Sequence, residues 1–197
     1  IVVTQDQEIY QEILSNNGNS ILIEKEYNSG TDRIADACID IEADVIINIQ
    51  GDEPFINKAS LEALINIFTS DIKKEINYAS LMKEVSDDKE INDLNNVKVS
   101  VDNNNYALNF SRKPIYSVSD FEKNIFYKHI GVYGYRKLAL INLSKLPQTE
   151  LELFEKIEAL RIIESGDKIK MAEVLTESVG IDTKEDLEKA IDIWKNK

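Results

Sequence analysis

The sequence predicts an α/β fold built on a mostly parallel sheet, with an antiparallel hairpin inserted in it. Three observations predict this. Short β-branched runs alternate with amphipathic segments of helical length along most of the chain. The run Asp44–Gln50 (DVIINIQ) is almost continuously apolar, as a central strand covered on both faces should be. Between Val97–Asp102 and Tyr106–Ser111 lies only the turn Asn103-Asn104-Asn105, the sign of a hairpin rather than a crossover.

The elements follow in order. Ile1–Thr4 is a strand pattern from the first residue, with no polar lead-in, so an upstream segment is expected. Gln7–Ser15 is a helix carrying Ile9, Ile13 and Leu14 on one face, and Asn17-Gly18 ends it. Ser20–Glu24 is a short strand. Thr31–Glu42 is expected as a helix with Ile34, Ala35, Cys38, Ile39 and Ile41 inward. Asp44–Gln50 is expected as a central parallel strand. Lys58–Ser70 is a helix and Tyr78–Lys83 a strand. The acidic stretch Glu84–Asp93 reads as a solvated loop or helix. After the hairpin, Ile130–Tyr135 is a strand followed by a helix. Leu151–Ser165 is expected as one long helix stopped by Gly166. Lys168–Glu173 and Lys184–Trp194 close the chain as strand and helix.

Composition bounds the function. With 23 basic and 36 acidic residues among 197, the net charge is 23 − 36 = −13. That excludes a nucleic-acid groove and a surface for anionic membranes. It also means that an anionic substrate would need a local basic cluster or a divalent cation. No apolar run reaches the roughly 20 residues of a membrane span, and no signal peptide is visible. One domain over 1–197 is expected. Cys38, the only Cys, cannot form an internal disulfide, which fits a reducing cytoplasm.

Four segments carry candidate chemistry. Gln50-Gly51-Asp52-Glu53-Pro54 stands where the best strand ends, the place where open α/β sheets bind ligands. Its carboxylates are hard oxygen ligands suited to Mg²⁺, although an acidic turn capping the next helix would look the same. Ser29-Gly30-Thr31-Asp32-Arg33 joins a strand to a helix; it offers backbone N–H groups and a guanidinium to an anion, or is simply a capped helix start. Lys128–Tyr135 (KHIGVYGY) contains the single His, and alternation places His129, Gly131, Tyr133 and Tyr135 on one face. A lone His is more often structural. One His and one Cys make neither the usual zinc site nor, without a nucleophile elbow, a Ser-His-Asp triad. Finally, Gly180–Leu187 (GIDTKEDL) starts the last helix. Thr183 caps it, which leaves Asp182 as a candidate second carboxylate beside Asp52.

Taken in order, SGTDR, INIQGDEPFI, NNVKVSVDNNNYALNFSRKPI, KHIGVYGY, ELELFEKIEALR and VGIDTKEDLEKA resemble the 3-deoxy-manno-octulosonate (Kdo) cytidylyltransferases over essentially the whole chain. The resemblance implies a Rossmann-like three-layer α/β/α nucleotide-sugar transferase fold and a homodimer, expected here through the insertion around 97–120. It implies CTP and Kdo as substrates, and Mg²⁺ dependence. It also implies a cytoplasmic role in lipopolysaccharide assembly in a Gram-negative bacterium. By the same resemblance Asp52 and Asp182 are the catalytic metal ligands. Ser29, Gly30, Thr31 and Arg33 adjoin the nucleotide, and Gln50, Arg112, His129, Tyr133 and Glu158 line the sugar pocket. The family often carries Gln where Ala159 stands here.

The family's opening strand and loop, of the type PARxxSxRxPGKPL, has no counterpart in this sequence; a preceding βα unit is therefore expected, without which CTP should not be turned over. Lys98 is placed either near anionic ligands or as a solvent-facing strand residue. His129 is expected to donate a hydrogen bond to the sugar rather than act as general base. Two other readings stand beside this one: a cytidylyltransferase for another acidic sugar such as a sialic acid, and a catalytically inactive dimeric binding module.

Overall fold

The longest strand among the described residues, Phe126–Arg136, is the one on which the sheet is assembled. The computed structural model describes residues 1–115, 125–175, 180, 181 and 183–195. In chain order the elements are β1 (Val2–Thr4), α1 (Gln7–Ser15), β2 (Ser20–Leu22), α2 (Gly30–Ala37), β3 (Val45–Ile49), α3 (Lys58–Ser70), β4 (Tyr78–Val85) and α4 (Asp88–Asn92). They continue with β5 (Lys98–Val101), β6 (Ala107–Ser111), β7 (Phe126–Arg136), α5 (Lys137–Leu143), α6 (Glu150–Glu155), α7 (Ala159–Glu164), β8 (Ile169–Glu173) and α8 (Lys184–Lys195).

At 11 residues, β7 is long enough to take two partners on one edge. Its C-terminal half pairs antiparallel with β3, through Ile46↔Tyr135 and Asn48↔Tyr133, and its start pairs with β5 through Lys98↔Lys128. The opposite edge carries β4, also antiparallel. β8 lies parallel to β4 and β6 folds back on β5. β1 and β2 form a separate parallel pair.

The α/β class and the layered, Rossmann-like arrangement hold, but strand direction departs from expectation. Of the six pairings among the described residues only two are parallel. β3 is correspondingly not a central parallel strand; among the described residues it pairs only with β7, and Ile49 is exposed. Strand direction is decided by distant partners, which a run of Val and Ile does not encode.

Both faces of the sheet are covered, as alternation requires. On one face Tyr78, Met82, Tyr133, Tyr135, Ile169 and Met171 pack with Ala35 of α2, Leu140 of α5 and Leu160 of α7. On the other, Ala79, Leu81, Ile130 and Val132 meet Leu64 and Phe68 of α3. The approach there is close: a Cβ on Gly134 would stand 2.4 Å from the Phe68 ring. The hairpin forms as expected. Asp102 accepts hydrogen bonds from the amides of Asn104 and Tyr106, and Asn105 takes the positive φ of the turn.

Two helices end sooner than their sequence pattern suggests. α2 stops at Ala37, where Lys137 donates to the carbonyls of Ile39 and Ile41; Ile39, expected inward, is therefore exposed. The expected helix 151–165 is broken into α6 and α7 by Lys156, which is left-handed at φ 57°. The cause is tertiary. Arg112 donates from Nε to the Glu155 carbonyl (2.9 Å), and its backbone N–H bonds the Glu155 carboxylate (3.0 Å), so the end of α6 is captured from across the fold. Gly166, at φ 88°, closes α7 as expected.

Lys156 is exposed, so substitutions there report mainly on backbone conformation. Lys156→Val should lower stability by roughly 1–2 kcal/mol, because a β-branched residue resists the left-handed region, while Lys156→Gly should not. Urea denaturation of the two variants checks this; equal midpoints would contradict it.

Candidate active site

The site is built where β3 stops. Gln50 to Glu53 turn back on themselves, with the Glu53 amide bonded to the Gln50 carbonyl (3.0 Å). The Asp52 carbonyl accepts from the Ile181 amide (2.8 Å), so this turn is tied to the segment that leads into α8. One carboxylate oxygen of Asp52, Oδ1, is buried without a hydrogen-bond partner. A buried carboxylate oxygen left in that state has the donor chemistry of a cation ligand. Asp52 thus fits the part expected of it toward Mg²⁺. Asp182, its expected companion, lies outside the described residues.

A cavity of about 860 Å³ opens beside this turn. Of the residues singled out from the sequence, Gln50, Asp52, Arg112, His129, Tyr133 and Glu158 all line it. Ser29, Gly30, Thr31 and Arg33 do not. Gly30 donates its N–H to Glu158 Oε1 (3.2 Å) and Thr31 donates its hydroxyl to Glu158 Oε2, so the start of α2 reaches the cavity through Glu158. Ser29 caps α2 by accepting from the Asp32 amide. Arg33 bonds Gln5 and stands 6.0 Å from the Tyr27 ring.

Several roles read from the sequence look different in three dimensions. Lys98 is buried, neither solvent-facing nor on the cavity wall; its ammonium donates to the carbonyls of Asp93 (2.8 Å) and Asn96 (2.7 Å), and burial lowers its pKa. The Arg112 side chain, on the cavity wall, donates from Nε and Nη1 to the carbonyls of Glu155 and Leu94, which makes it a brace of that wall as well. Lys128, Lys156 and Lys189 are basic lining residues that the sequence did not single out. No local pattern marks Lys156, because its place follows from the break between α6 and α7. Among the described residues, six carboxylates and four basic side chains line the cavity, so the wall alone does not offset an anionic ligand.

His129 and Tyr133 share one face of β7, as alternation requires, with ring centroids 5.2 Å apart. Phe110 meets the imidazole edge-on at 5.1 Å. Burial pushes the imidazole pKa down to about 3 and the Tyr133 phenol well above its ordinary value.

The comparisons with known proteins decide the family. The cytidylyltransferase family model matches residues 1–169. The 3-deoxy-manno-octulosonate cytidylyltransferase of Flavobacterium johnsoniae is 45% identical over 190 residues, 96% of this chain and 78% of that protein. Its counterpart in Fusobacterium nucleatum is 41% identical over 99% of this chain and 79% of its own length. The chain belongs to the 3-deoxy-manno-octulosonate cytidylyltransferase family. A solved structure of CMP:2-keto-3-deoxy-manno-octonic acid synthetase complexed with CTP is 34% identical, with a TM-score of 0.91 over 99% of this chain and 80% of that one. The inositol-1-phosphate CTP transferase of T. maritima, at 15% identity and a TM-score of 0.64, shares the fold over 98% of this chain and 74% of its own.

For this member of the family, the neutral His129 has a measurable consequence. The unfolded chain takes up an imidazole proton near pH 6.5 that the folded chain refuses down to about 3. Between those values the unfolded state binds more protons, so stability falls as pH drops. The unfolding free energy from denaturant titrations should decline from about pH 7.5 to about pH 5.5, by up to about 1.4 kcal/mol per pH unit below the unfolded pKa. His129→Gln should flatten that slope; an unchanged slope in the variant would contradict the buried neutral ring.

Proposed function

We propose that this chain activates Kdo with CTP, giving CMP-Kdo and pyrophosphate. The observation that carries the reading is the match of nearly the whole chain to a CTP-bound synthetase of this family, with Gln50, Asp52, His129 and Tyr133 gathered on one cavity at the end of β3. In the reaction the anomeric hydroxyl oxygen of Kdo forms a bond to the α-phosphorus as the bond to pyrophosphate breaks, and the hydroxyl proton is released. Such a transfer depends on positioning and charge neutralisation more than on covalent help.

The chain's own groups supply the positioning. Asp52 and Asp182 are the residues that would hold Mg²⁺, and the unpartnered Oδ1 of Asp52 supports this. Bound there, the cation would offset phosphate charge that the acidic wall cannot. Tyr133 and His129 give the cavity an aromatic floor. Glu158 couples that floor to the start of α2, on the side that the family resemblance assigns to the nucleotide. A homodimer formed through the hairpin of β5 and β6, and work in the cytoplasm, complete the proposal. Among the described residues no helix is long and apolar enough to cross a membrane.

Pyrophosphate release by the protein tests the reading. Turnover should require CTP and Kdo, and should fall at least tenfold when a sialic acid replaces Kdo. Asp52→Asn should remove most of the activity, by about a hundredfold or more, while leaving the melting curve close to wild type. Near wild-type kcat in that variant at saturating Mg²⁺ would refute the carboxylate site, and faster turnover of a sialic acid would refute the substrate.

A further inference from the structure

β7 carries a register slip beside the cavity. Ser80 of β4 is opposite Tyr133, yet the next residue, Leu81, is opposite Ile130, so Gly131 and Val132 are left without a partner on β4. A bulge of this kind leaves ladder carbonyls in need of donors, and bulges gather near active sites. Ser80 meets that need. Its hydroxyl donates to the Val132 carbonyl at 2.8 Å, with the Ile130 carbonyl at 3.4 Å, and the residue is fully buried. The same oxygen stands 2.8 Å from Nε2 of His129.

A serine hydroxyl has one proton, and a carbonyl can only accept. With the Ser80 proton on Val132, the contact to the ring exists only if Nε2–H is the donor. The reverse arrangement would leave the Ser80 and Val132 oxygens 2.8 Å apart with no proton between them. In a neutral imidazole, protonation at Nε2 makes Nδ1 the acceptor. The ring's remaining polar atom, on a residue that lines the cavity, is therefore a lone pair.

We propose that Ser80 is a positioning residue: through the bulge of β7 it fixes His129 as the Nε2–H tautomer, so that Nδ1 accepts a hydrogen bond from a hydroxyl of the acidic sugar. This reverses the donor role expected of His129 from the sequence, and it rests on the function proposed above. The acceptor favours a polyhydroxylated sugar whose hydroxyl can point at the ring, and disfavours an analogue lacking that hydroxyl.

The chain contains one His, so its imidazole nitrogens can be read directly by ¹⁵N NMR. The wild-type protein should show a protonated Nε2 and a bare Nδ1 near neutral pH; a protonated Nδ1 would overturn the proposal without any variant. Ser80→Ala should release the ring into a mixture of tautomers. It should raise KM for Kdo by about tenfold, with kcat and the KM for CTP changed far less. Ser80→Thr should restore both the tautomer and the KM. Ser80→Ala with an unchanged tautomer and an unchanged sugar KM would refute the positioning role. Failure of the wild-type protein to turn over Kdo would instead refute the proposed substrate, and with it the sugar contact, while the tautomer assignment would be judged by the spectrum alone.

Discussion

The buried guanidinium of Arg161 is the constraint on which the cavity wall depends. Arg161 is only 2% exposed and is among the largest fully buried side chains of the core. It grips both carboxylate oxygens of Glu152 on α6 through Nε and Nη2, and it bonds Asp32 on α2 through Nη1 at 2.9 Å. A buried charge is tolerated only when its partners and hydrogen bonds are in place, so each of these groups requires the others. The segment 29–33 and the two neighbouring segments 149–155 and 158–164, far from it in sequence, are thereby fixed relative to one another. Glu158, one turn before Arg161, extends the same tie to Gly30 and Thr31. Arg112 completes it by holding the end of α6. The wall that carries Lys156, Ile157 and Glu158 is thus set by charge pairing rather than by the reach of a continuous helix.

Much of the fold was legible in local pattern. Alternation in KHIGVYGY placed His129, Gly131, Tyr133 and Tyr135 on one face, and there the Tyr133 ring stacks on Tyr135 and meets His129 at a tilt. The Asn-rich turn and the ends of α1 and α3 were equally local, set by caps and short-range bonds. What was not legible is non-local. The direction of β3 is chosen by its partner β7. The break at Lys156 is made by Arg112, 44 residues earlier. Lys98 alternates correctly within its strand, but nothing local announces that two carbonyls wait for its ammonium.

The site shows the same division. The place of Asp52 on the cavity was legible in the sequence because a strand that ends in Gly, Asp, Glu and Pro is a local statement. Its unpartnered oxygen was not, since that depends on which atoms surround it. Ser80 carried no signal at all. A serine in the middle of YASLMKEV reads as a filler between apolar neighbours. It acquires a role only because β7 slips register opposite it and leaves carbonyls for its hydroxyl to take. The polar groups of greatest interest here are those with which tertiary structure completes an otherwise ordinary α/β sheet.

The dependence of the wall on Arg161 is tested most directly by a double-mutant cycle for stability, using Glu152→Met, Arg161→Met and the pair together. Arg161→Met strands the buried Glu152 carboxylate, and Glu152→Met leaves the buried guanidinium with Asp32 alone, so each single change should cost several kcal/mol, on the order of 3–5 for Arg161→Met. The double variant removes both members of the pair, so the cycle should return a coupling of about 2 kcal/mol or more. Costs that simply add, to within about 0.5 kcal/mol, would contradict the account and return the wall to ordinary hydrophobic packing.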